Sequence, residues 1–298
     1  MKLLVTGAGG QVGRALVRAA RAGNVHVVAL DRASLDVTRP MPVAAALRAH
    51  APDVLVNAAA YTAVDRAEAE PEAAFAANRD GPDVLARACA RAGIPLLHLS
   101  TDYVFDGRKG APYVPADAAA PLSVYGASKW AGEEAVRAHA PQHLIVRTAW
   151  LFSGEGRNFV RTILRLARER DTLRVVADQV GHPTPADALA EGLLVLARRA
   201  AAGDAPWGTY HLAGTPATTW HALAETVLAE ARRHAPLVAQ AVEPIRTAAY
   251  PAAARRPMRV ELDQRATGEA FGVSPPDWRE GVRRTVSYVM KPSGSSAG

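Results

Sequence analysis

Cysteines and long apolar runs are what this 298-residue sequence lacks most. Nothing in it approaches the roughly 18 consecutive apolar residues of a transmembrane helix, and no charged and then apolar leader opens the chain. The single cysteine, Cys89, cannot form an intramolecular disulfide and lies in an apolar helical pattern, which predicts a buried thiol. We therefore expect a cytoplasmic protein without a disulfide scaffold or a cysteine-based metal site.

Lysine is also scarce, with four residues, so arginine supplies most of the positive charge behind the net +6. Arg157, Arg161, Arg165 and Arg168 recur at helical spacing opposite apolar residues, which is typical of a solvated helix face. No nucleic-acid-binding signature accompanies them. We expect neither a nucleic-acid nor a membrane partner.

The first half of the chain alternates short apolar runs with helical patterns, which is typical of a parallel sheet with helices on both faces. The predicted strands are Lys2 to Thr6, Val25 to Leu30, Val54 to Asn57, Leu96 to Ser100 and Leu144 to Thr148. Helical patterns such as 11–22 and 73–92 separate them. This predicts an α/β fold with a Rossmann-type doubly wound parallel sheet, whose ligand crevice lies at the carboxyl ends of the strands.

After about residue 150 the pattern becomes irregular, and helical segments stand among proline-rich loops. A helix and a short strand at 209–212 are predicted to return to the main sheet. The expected division is a dinucleotide-binding domain over 1–150 joined by 185–212, a smaller mixed C-terminal substrate lobe over 151–184 and 213–291, and a disordered tail over 292–298.

A glycine-rich turn follows the first predicted strand. Gly7, Gly10 and Gly13 form G-x-x-G-x-x-G before a helical pattern, and such turns bind a pyrophosphate with backbone N–H groups and the helix N-terminus. Asp31 ends the second strand, where a carboxylate accepts hydrogen bonds from the adenosine ribose, while Arg32 suits a 2′-phosphate. Both NADH and NADPH therefore stay open as cofactors. Further expected cofactor-binding residues are Gln11, Val12, Asp36, Val37, Ala59, Ala60, Tyr61 and Thr62.

Two polar pairs are candidates for the chemistry. Tyr125 and Lys129 have i, i+4 spacing at the start of a helix predicted over 127–138, and a nearby ammonium lowers the pKa of a phenol toward neutrality. Lys129 is also suited to bind the nicotinamide ribose. Thr101 and Asp102 end the fourth strand, where Thr101 can donate to a substrate carbonyl and Asp102 can bind a sugar hydroxyl. Thr101, Tyr125 and Lys129 are the predicted catalytic residues.

These motifs together resemble the extended short-chain dehydrogenase/reductase superfamily and, within it, the dTDP-4-dehydrorhamnose reductase family. The segments that carry the resemblance are 7–13, 57–62, 100–105, 125–129, 147–150, 158–159, 178–184, 210–212, 218–220 and 256–257. The resemblance implies NAD(P)H-dependent reduction of the C4 ketone of dTDP-4-dehydro-β-L-rhamnose. It further implies that Tyr125 donates a proton, that Trp150 contacts the thymine, and that Asp102 and Arg256 lie near the sugar and phosphates.

The sequence also bears on a metal-bridged dimer and on other activities of related proteins. Some family members hold Mg²⁺ with carboxylates at a dimer contact, but Arg14 stands where such a member has Glu, so we expect no metal and leave a homodimer open. Related dehydratases place Asp and then Glu after the active-site Thr, whereas here Tyr103 follows Asp102, which disfavours dehydration. Epimerases are disfavoured less strongly. A reductase of another dTDP-4-keto-deoxysugar, or a non-catalytic regulatory subunit like that of methionine adenosyltransferase, stays as an alternative.

Overall fold

The computed structural model describes residues 1–291. Within these residues the strands, in chain order, are β1 (Lys2–Thr6), β2 (His26–Leu30), β3 (Val54–Asn57), β4 (Leu96–Thr101), β5 (His143–Thr148), β6 (Leu151–Phe152), β7 (Thr172–Val176), β8 (Val180–Gly181), β9 (Thr184–Pro185), β10 (Gly208–His211), β11 (Thr218–Thr219) and β12 (Ala241–Ile245).

The α-helices of the same residues, in chain order, are α1 (Gln11–Ala22), α2 (Pro40–His50), α3 (Val64–Ala67), α4 (Pro71–Phe75), α5 (Gly81–Ala92), α6 (Val124–His139), α7 (Phe159–Leu166), α8 (Ala186–Ala202), α9 (Trp220–Ala231), α10 (Arg265–Phe271) and α11 (Trp278–Met290).

Six strands form one parallel sheet in the order β2-β1-β3-β4-β5-β10. The chain winds outward from β1 to β2 and then crosses to β3 on the other side of β1, so the winding reverses between β1 and β3. The carboxyl ends of strands at such a reversal border a crevice. The predicted Rossmann-type doubly wound sheet is confirmed.

Helices cover both faces of this sheet, which explains why its strands read as continuous apolar runs. Leu3 and Val5 are fully buried with α1 and α8, whereas Leu4 between them is buried with α2 and α5 on the opposite face. Successive side chains of a strand point to opposite faces, so burial on both sides requires every position to be apolar. The sheet is thereby a rigid base for the loops at its carboxyl edge.

The second half of the chain contributes to two regions. The strand predicted at 209–212 is β10, which pairs with β5 at the edge of the main sheet. A separate apolar cluster forms where α7, α9 and α11 pack around Phe152 and Trp278, with β7 and β12 paired in parallel beside them. The predicted tail, 292–298, lies outside the described residues.

Two helical predictions differ from the structure. The pattern over 73–92 is interrupted by a π-helical turn, Ala76–Asp80, between α4 and α5. The helix predicted over 127–138 begins earlier, at Val124, because the Ser123 hydroxyl accepts a hydrogen bond from the Gly126 N–H at 3.1 Å and caps the first turn. Tyr125 therefore lies inside the first turn of α6.

Candidate active site

The turn between β1 and α1 brings backbone atoms unusually close together. Gly7 has φ +67°, and a Cβ added there would lie 2.4 Å from the Ala59 nitrogen. A Cβ on Gly13 would lie 2.3 Å from the Gly7 carbonyl oxygen. Gly10 is the N-cap of α1 and provides no side-chain cap. The first N–H groups of α1 thus face the crevice as donors for an anion.

A groove of about 790 Å³ runs from this turn along the carboxyl edge of β1, β2 and β3. Nine of the residues predicted to bind the cofactor line it: Gly7, Gly10, Asp31, Arg32, Asp36, Val37, Ala59, Ala60 and Tyr61. The small side chains beside β3 leave its backbone open to the groove. The groove is therefore open at the glycine turn and carries charged groups where β2 ends.

Two acidic residues of the groove, Asp31 and Asp36, are already hydrogen-bonded within their own loop. The Asp31 carboxylate accepts from the hydroxyl and the N–H of Ser34 at 2.7 and 2.9 Å, and these bonds lower its pKa. Asp36 accepts from the Thr38 hydroxyl and N–H at 2.7 and 3.0 Å, which likewise lowers its pKa. Val37 is mostly buried in the core beneath the groove. Both carboxylates are therefore anionic at neutral pH and held in fixed positions.

Three of the cofactor residues predicted near β1 and β3 do not line the groove with their side chains. The Gln11 amide oxygen accepts from Ser153 and Asn158, both at 3.0 Å, and so ties α1 to the start of α7. Val12 is packed in the core, and Thr62 is exposed just beyond the groove. Gln11 and Val12 lie in the first turn of α1, so what they offer an anion is a backbone N–H.

At the carboxyl end of β4, three side chains meet around one hydroxyl. The Thr101 hydroxyl donates to the Asp102 carboxylate at 3.0 Å, accepts from the Tyr103 N–H at 3.2 Å, and lies beside the phenol of Tyr125. Burial raises the pKa of Asp102 to about 7. Burial and the nearby Asp102 carboxylate raise the pKa of Tyr125 to about 12, although the neighbouring Thr101 hydroxyl opposes this. The Tyr125 phenol is thus a protonated donor.

Lys129 lies one turn after Tyr125 on α6, as the spacing predicts, but its ammonium contacts other groups. It donates to the Leu99 carbonyl oxygen at 2.6 Å and lies 3.5 Å from the His98 Nε2. Burial lowers the pKa of Lys129 to about 8, and the pKa of Tyr125 moves up rather than down. The expected lowering of the phenol pKa is absent, because the Lys129 ammonium donates to the Leu99 carbonyl oxygen of β4.

An aromatic pair, formed by residues that follow β5 in the chain, lies beside the carboxyl edge of the sheet. The Trp150 ring stacks on Trp220 with centroids 3.6 Å apart and planes at 9°. Gly181 leaves room for this ring, because a Cβ there would lie 2.5 Å from the Trp150 Cε2 atom. The Trp220 indole N–H donates to Gln179 at 3.2 Å, which fixes the pair. Trp150 is therefore a half-exposed, rigid apolar plate.

Arg256 comes from the long segment after β12 and reaches back across the crevice. Its guanidinium donates to Asp65 in α3 at 2.7 Å and lies near the phenol of Tyr103. The Tyr103 ring in turn meets Tyr125 edge-on, with centroids 5.5 Å apart. Arg256 thus brings a positive charge to the rim of the site, next to the side chains at the end of β4.

Comparison with known proteins assigns this arrangement to one family. The family model described as RmlD substrate binding domain matches residues 1–290. A dTDP-4-dehydrorhamnose reductase of Burkholderia thailandensis is 46% identical over 298 residues, covering 97% of this chain and 99% of that protein. The chain belongs to the dTDP-4-dehydrorhamnose reductase family.

Solved structures of dTDP-4-dehydrorhamnose reductases have the same fold as this chain. The reductase of Clostridium acetobutylicum superposes with a TM-score of 0.89 at 34% identity, covering 96% of this chain and 99% of that one. The reductase of Bacillus anthracis, solved in complex with NADP, superposes with a TM-score of 0.88 at 33% identity, covering 95% and 98%. The groove of the present family member suits such a dinucleotide, because an uncapped helix N-terminus and small residues face it.

Two residues that the sequence analysis did not single out connect the groove of this reductase family member to α6. The Asn78 side chain accepts from the Tyr61 N–H at 2.8 Å and donates to the Tyr61 carbonyl and to Ser128, both at 3.0 Å. The Ser128 hydroxyl donates to the Tyr125 carbonyl at 2.8 Å. Asn78 lies in the π-helical turn, and only its polarity within an apolar helical pattern could have identified it.

A buried ion pair continues the Tyr125 and Lys129 face of α6. The Arg147 guanidinium donates to both Glu133 carboxylate oxygens at 2.9 and 2.7 Å, and Arg137 adds a third bond at 2.6 Å. Burial opposes ionisation of Glu133, but the hydrogen-bonded Arg147 keeps its pKa below the usual value. A fixed negative charge thus stands one turn beyond Lys129.

Residues 1–291 contain no group of three or more His, Cys, Asp or Glu side chains placed to hold a metal ion. None of their helices is long and apolar enough to cross a membrane.

Proposed function

We propose that this chain reduces the C4 ketone of dTDP-4-dehydro-β-L-rhamnose to dTDP-L-rhamnose, with NADPH or NADH in the groove beside β1. The observation that carries the proposal is the adjacent pair of Thr101 and Tyr125, which stands at the carboxyl edge of the sheet in a chain that matches the reductase family over residues 1–290. Binding and chemistry then share one crevice.

The cofactor half of the site is built from the first strands. The N–H groups at Gln11 and Val12 would bind the pyrophosphate beside Gly7 and Gly10, while Asp31 and Arg32 would face the adenosine ribose. Asp36, Val37 and residues 59–62 would line the adenosine end and the middle of the cofactor, and Lys129 would bind the nicotinamide ribose. A bound nicotinamide cofactor supplies the hydride for C4.

The chain itself handles the proton and the substrate. Tyr125 would donate its phenolic proton to the C4 oxygen, because its raised pKa keeps it protonated at neutral pH. Thr101 would hydrogen-bond the same oxygen as negative charge develops on it. Asp102 would contact the sugar, Trp150 would present its exposed edge or face to the thymine, and Arg256 would meet the phosphates.

The proposal also covers the division of the chain into two lobes and its assembly. The segments 151–184 and 213–291 would form the substrate lobe, while 1–150 with 185–212 would bind the dinucleotide. The dTDP-sugar is the expected small-molecule partner, in the cytoplasm, and a homodimer is the assembly to test by light scattering.

The deciding assay generates the substrate in situ from dTDP-glucose with the enzymes of the preceding steps. NADPH and NADH oxidation are followed separately at 340 nm, and the product is identified by chromatography. Oxidation of one equivalent of cofactor per dTDP-L-rhamnose formed supports the proposal. No oxidation by protein that demonstrably binds cofactor contradicts it, and a panel of other dTDP-4-keto sugars then separates a sister reductase from a regulatory binding subunit.

A further inference from the structure

Each turnover of a ketone reductase consumes one proton from the protein, and this proton has to be replaced before the next. If Tyr125 donates to the ketone oxygen, it is left as a phenolate beside the Thr101 hydroxyl. Thr101 is 6% exposed, and its hydroxyl lies beside Tyr125 on one side and donates to Asp102 on the other. The nearest proton source in the chain therefore lies inward from Tyr125.

Asp102 is an unusual carboxyl group. It is 2% exposed, yet among residues 1–291 no Lys, Arg or His side chain forms an ion pair with it. Buried carboxylates are normally paired, since an unpaired buried charge is costly. The groups that face it are the Thr101 hydroxyl from β4, the phenol of Tyr125 from α6, and Tyr103 beside it in the chain.

The positive groups of the site are engaged elsewhere. The Arg256 guanidinium donates to Asp65, and the Lys129 ammonium donates to the Leu99 carbonyl. Burial without a cation raises the pKa of Asp102 to about 7, so protonated and ionised forms are both populated near neutral pH. A group in this condition can give up a proton and regain it in each cycle.

We propose that Asp102 is the proton reservoir that reloads Tyr125 through the Thr101 hydroxyl. This inference rests on the proposed ketone reduction. The Tyr125 O–H bond breaks as the C4 O–H bond forms. The phenolate then takes the Thr101 hydroxyl proton while Thr101 takes the carboxyl proton of Asp102. The Asp102 carboxylate regains a proton from water once the product has left, so one proton is consumed per ketone reduced.

The inference predicts that the first turnover and later turnovers respond differently to loss of Asp102. Asp102→Asn keeps an oxygen that accepts from Thr101 but carries no ionisable proton. With NADPH in excess and substrate at saturation, which offsets the loss of the proposed sugar contact, a stopped-flow experiment should show a burst of one equivalent of NADPH oxidised per site. Later turnovers should be at least tenfold slower than in the wild type.

Asp106→Asn is the matched control, because Asp106 is four residues away and contacts Tyr113 rather than Thr101. It should oxidise NADPH without a burst and at the wild-type steady rate. Asp102→Asn with wild-type steady turnover overturns the inference, as does the absence of a burst at saturating substrate, which would indicate that Asp102 acts only through its contact with the sugar. An inactive wild-type protein would instead contradict the proposed function.

A measurement on the wild-type protein keeps the inference testable if Asp102→Asn does not fold. The steady-state kcat should decrease as pH rises through about 7, because Asp102 must be protonated to donate. The rate constant of the first turnover should stay level over the same range, because Tyr125 stays protonated there. Identical pH profiles for the two rate constants would contradict the reservoir.

Discussion

Asp102 and Glu133 are both buried carboxyl groups near α6, and their surroundings differ in one respect. Glu133 accepts three hydrogen bonds from Arg137 and Arg147, and its pKa lies below the usual value. Asp102 accepts from a hydroxyl and has no cationic partner, and its pKa is raised to about 7. The same functional group is thus a permanent charge in one place and a titrating group in the other.

The difference shows that burial alone does not decide protonation. Removing a carboxylate from water always disfavours its charged form, and a hydrogen-bonded guanidinium compensates where it is present. Glu133 consequently fixes structure around β5, while Asp102 is available to exchange a proton next to Tyr125. Four substitutions test this contrast, beginning with the group that Asp102 is proposed to serve.

Tyr125→Phe should have the largest effect, because it removes the proposed proton donor while retaining the ring. We expect kcat to decrease about 10²- to 10⁴-fold, in the range for a general acid, with NADPH affinity within about twofold of the wild type. Steady-state kinetics and fluorescence titration of NADPH measure the two quantities. Tyr288→Phe, at an exposed tyrosine, is the control. Retention of most of the turnover would remove Tyr125 from the chemistry.

Glu133→Gln should destabilise the fold, because it removes the carboxylate of the buried ion pair with Arg147. It leaves the Arg147 guanidinium, which is 1% exposed, without its carboxylate, and loss of one partner of a buried pair costs about 3–5 kcal/mol in free energy of unfolding. Urea unfolding followed by circular dichroism gives the value. Glu134→Gln changes a neighbouring exposed carboxylate that contacts Arg137 and should cost less than about 1 kcal/mol. Equal losses in the two variants would refute the contrast.

Asp102→Asn, unlike Glu133→Gln, should increase the free energy of unfolding above neutral pH. Because the pKa of Asp102 is about 7 in the folded chain and 3.8 ordinarily, folding favours the protonated form, and wild-type stability falls as pH rises from about 4 to 7. The substitution removes this loss and should raise the free energy of unfolding by about 1–4 kcal/mol at pH 8. It should change little at pH 4. A pH-independent difference between the two proteins would show that Asp102 does not titrate on unfolding.

Much of this site could be predicted because its residues follow local rules. The glycine turn after β1, the carboxylate at the end of β2 and the spacing of Tyr125 and Lys129 depend on neighbours within a few residues. The π-helical turn that orients Asn78, the partner of Trp150, and the hydrogen bond from Lys129 to Leu99 depend on packing between distant segments. Hydrophobic periodicity does not predict contacts between distant segments. The different partners of Asp102 and Glu133 could therefore be identified only in the structure.

Asp31→Ala extends the comparison of Asp102 and Glu133 to an exposed carboxylate, and it should have the smallest effect of the four substitutions. Asp31 is exposed and its pKa is lowered by the hydroxyl of Ser34, so it stays anionic without a cation. If it accepts hydrogen bonds from the adenosine ribose, the Kd for NADH should rise about fivefold to tenfold, and that for NADPH should rise less, because a 2′-phosphate is repelled by the carboxylate that is removed. Fluorescence titration with both cofactors measures this, with Asp204→Ala as an exposed control outside the groove. Equal weakening of both cofactors would mean that Asp31 only shapes its own turn.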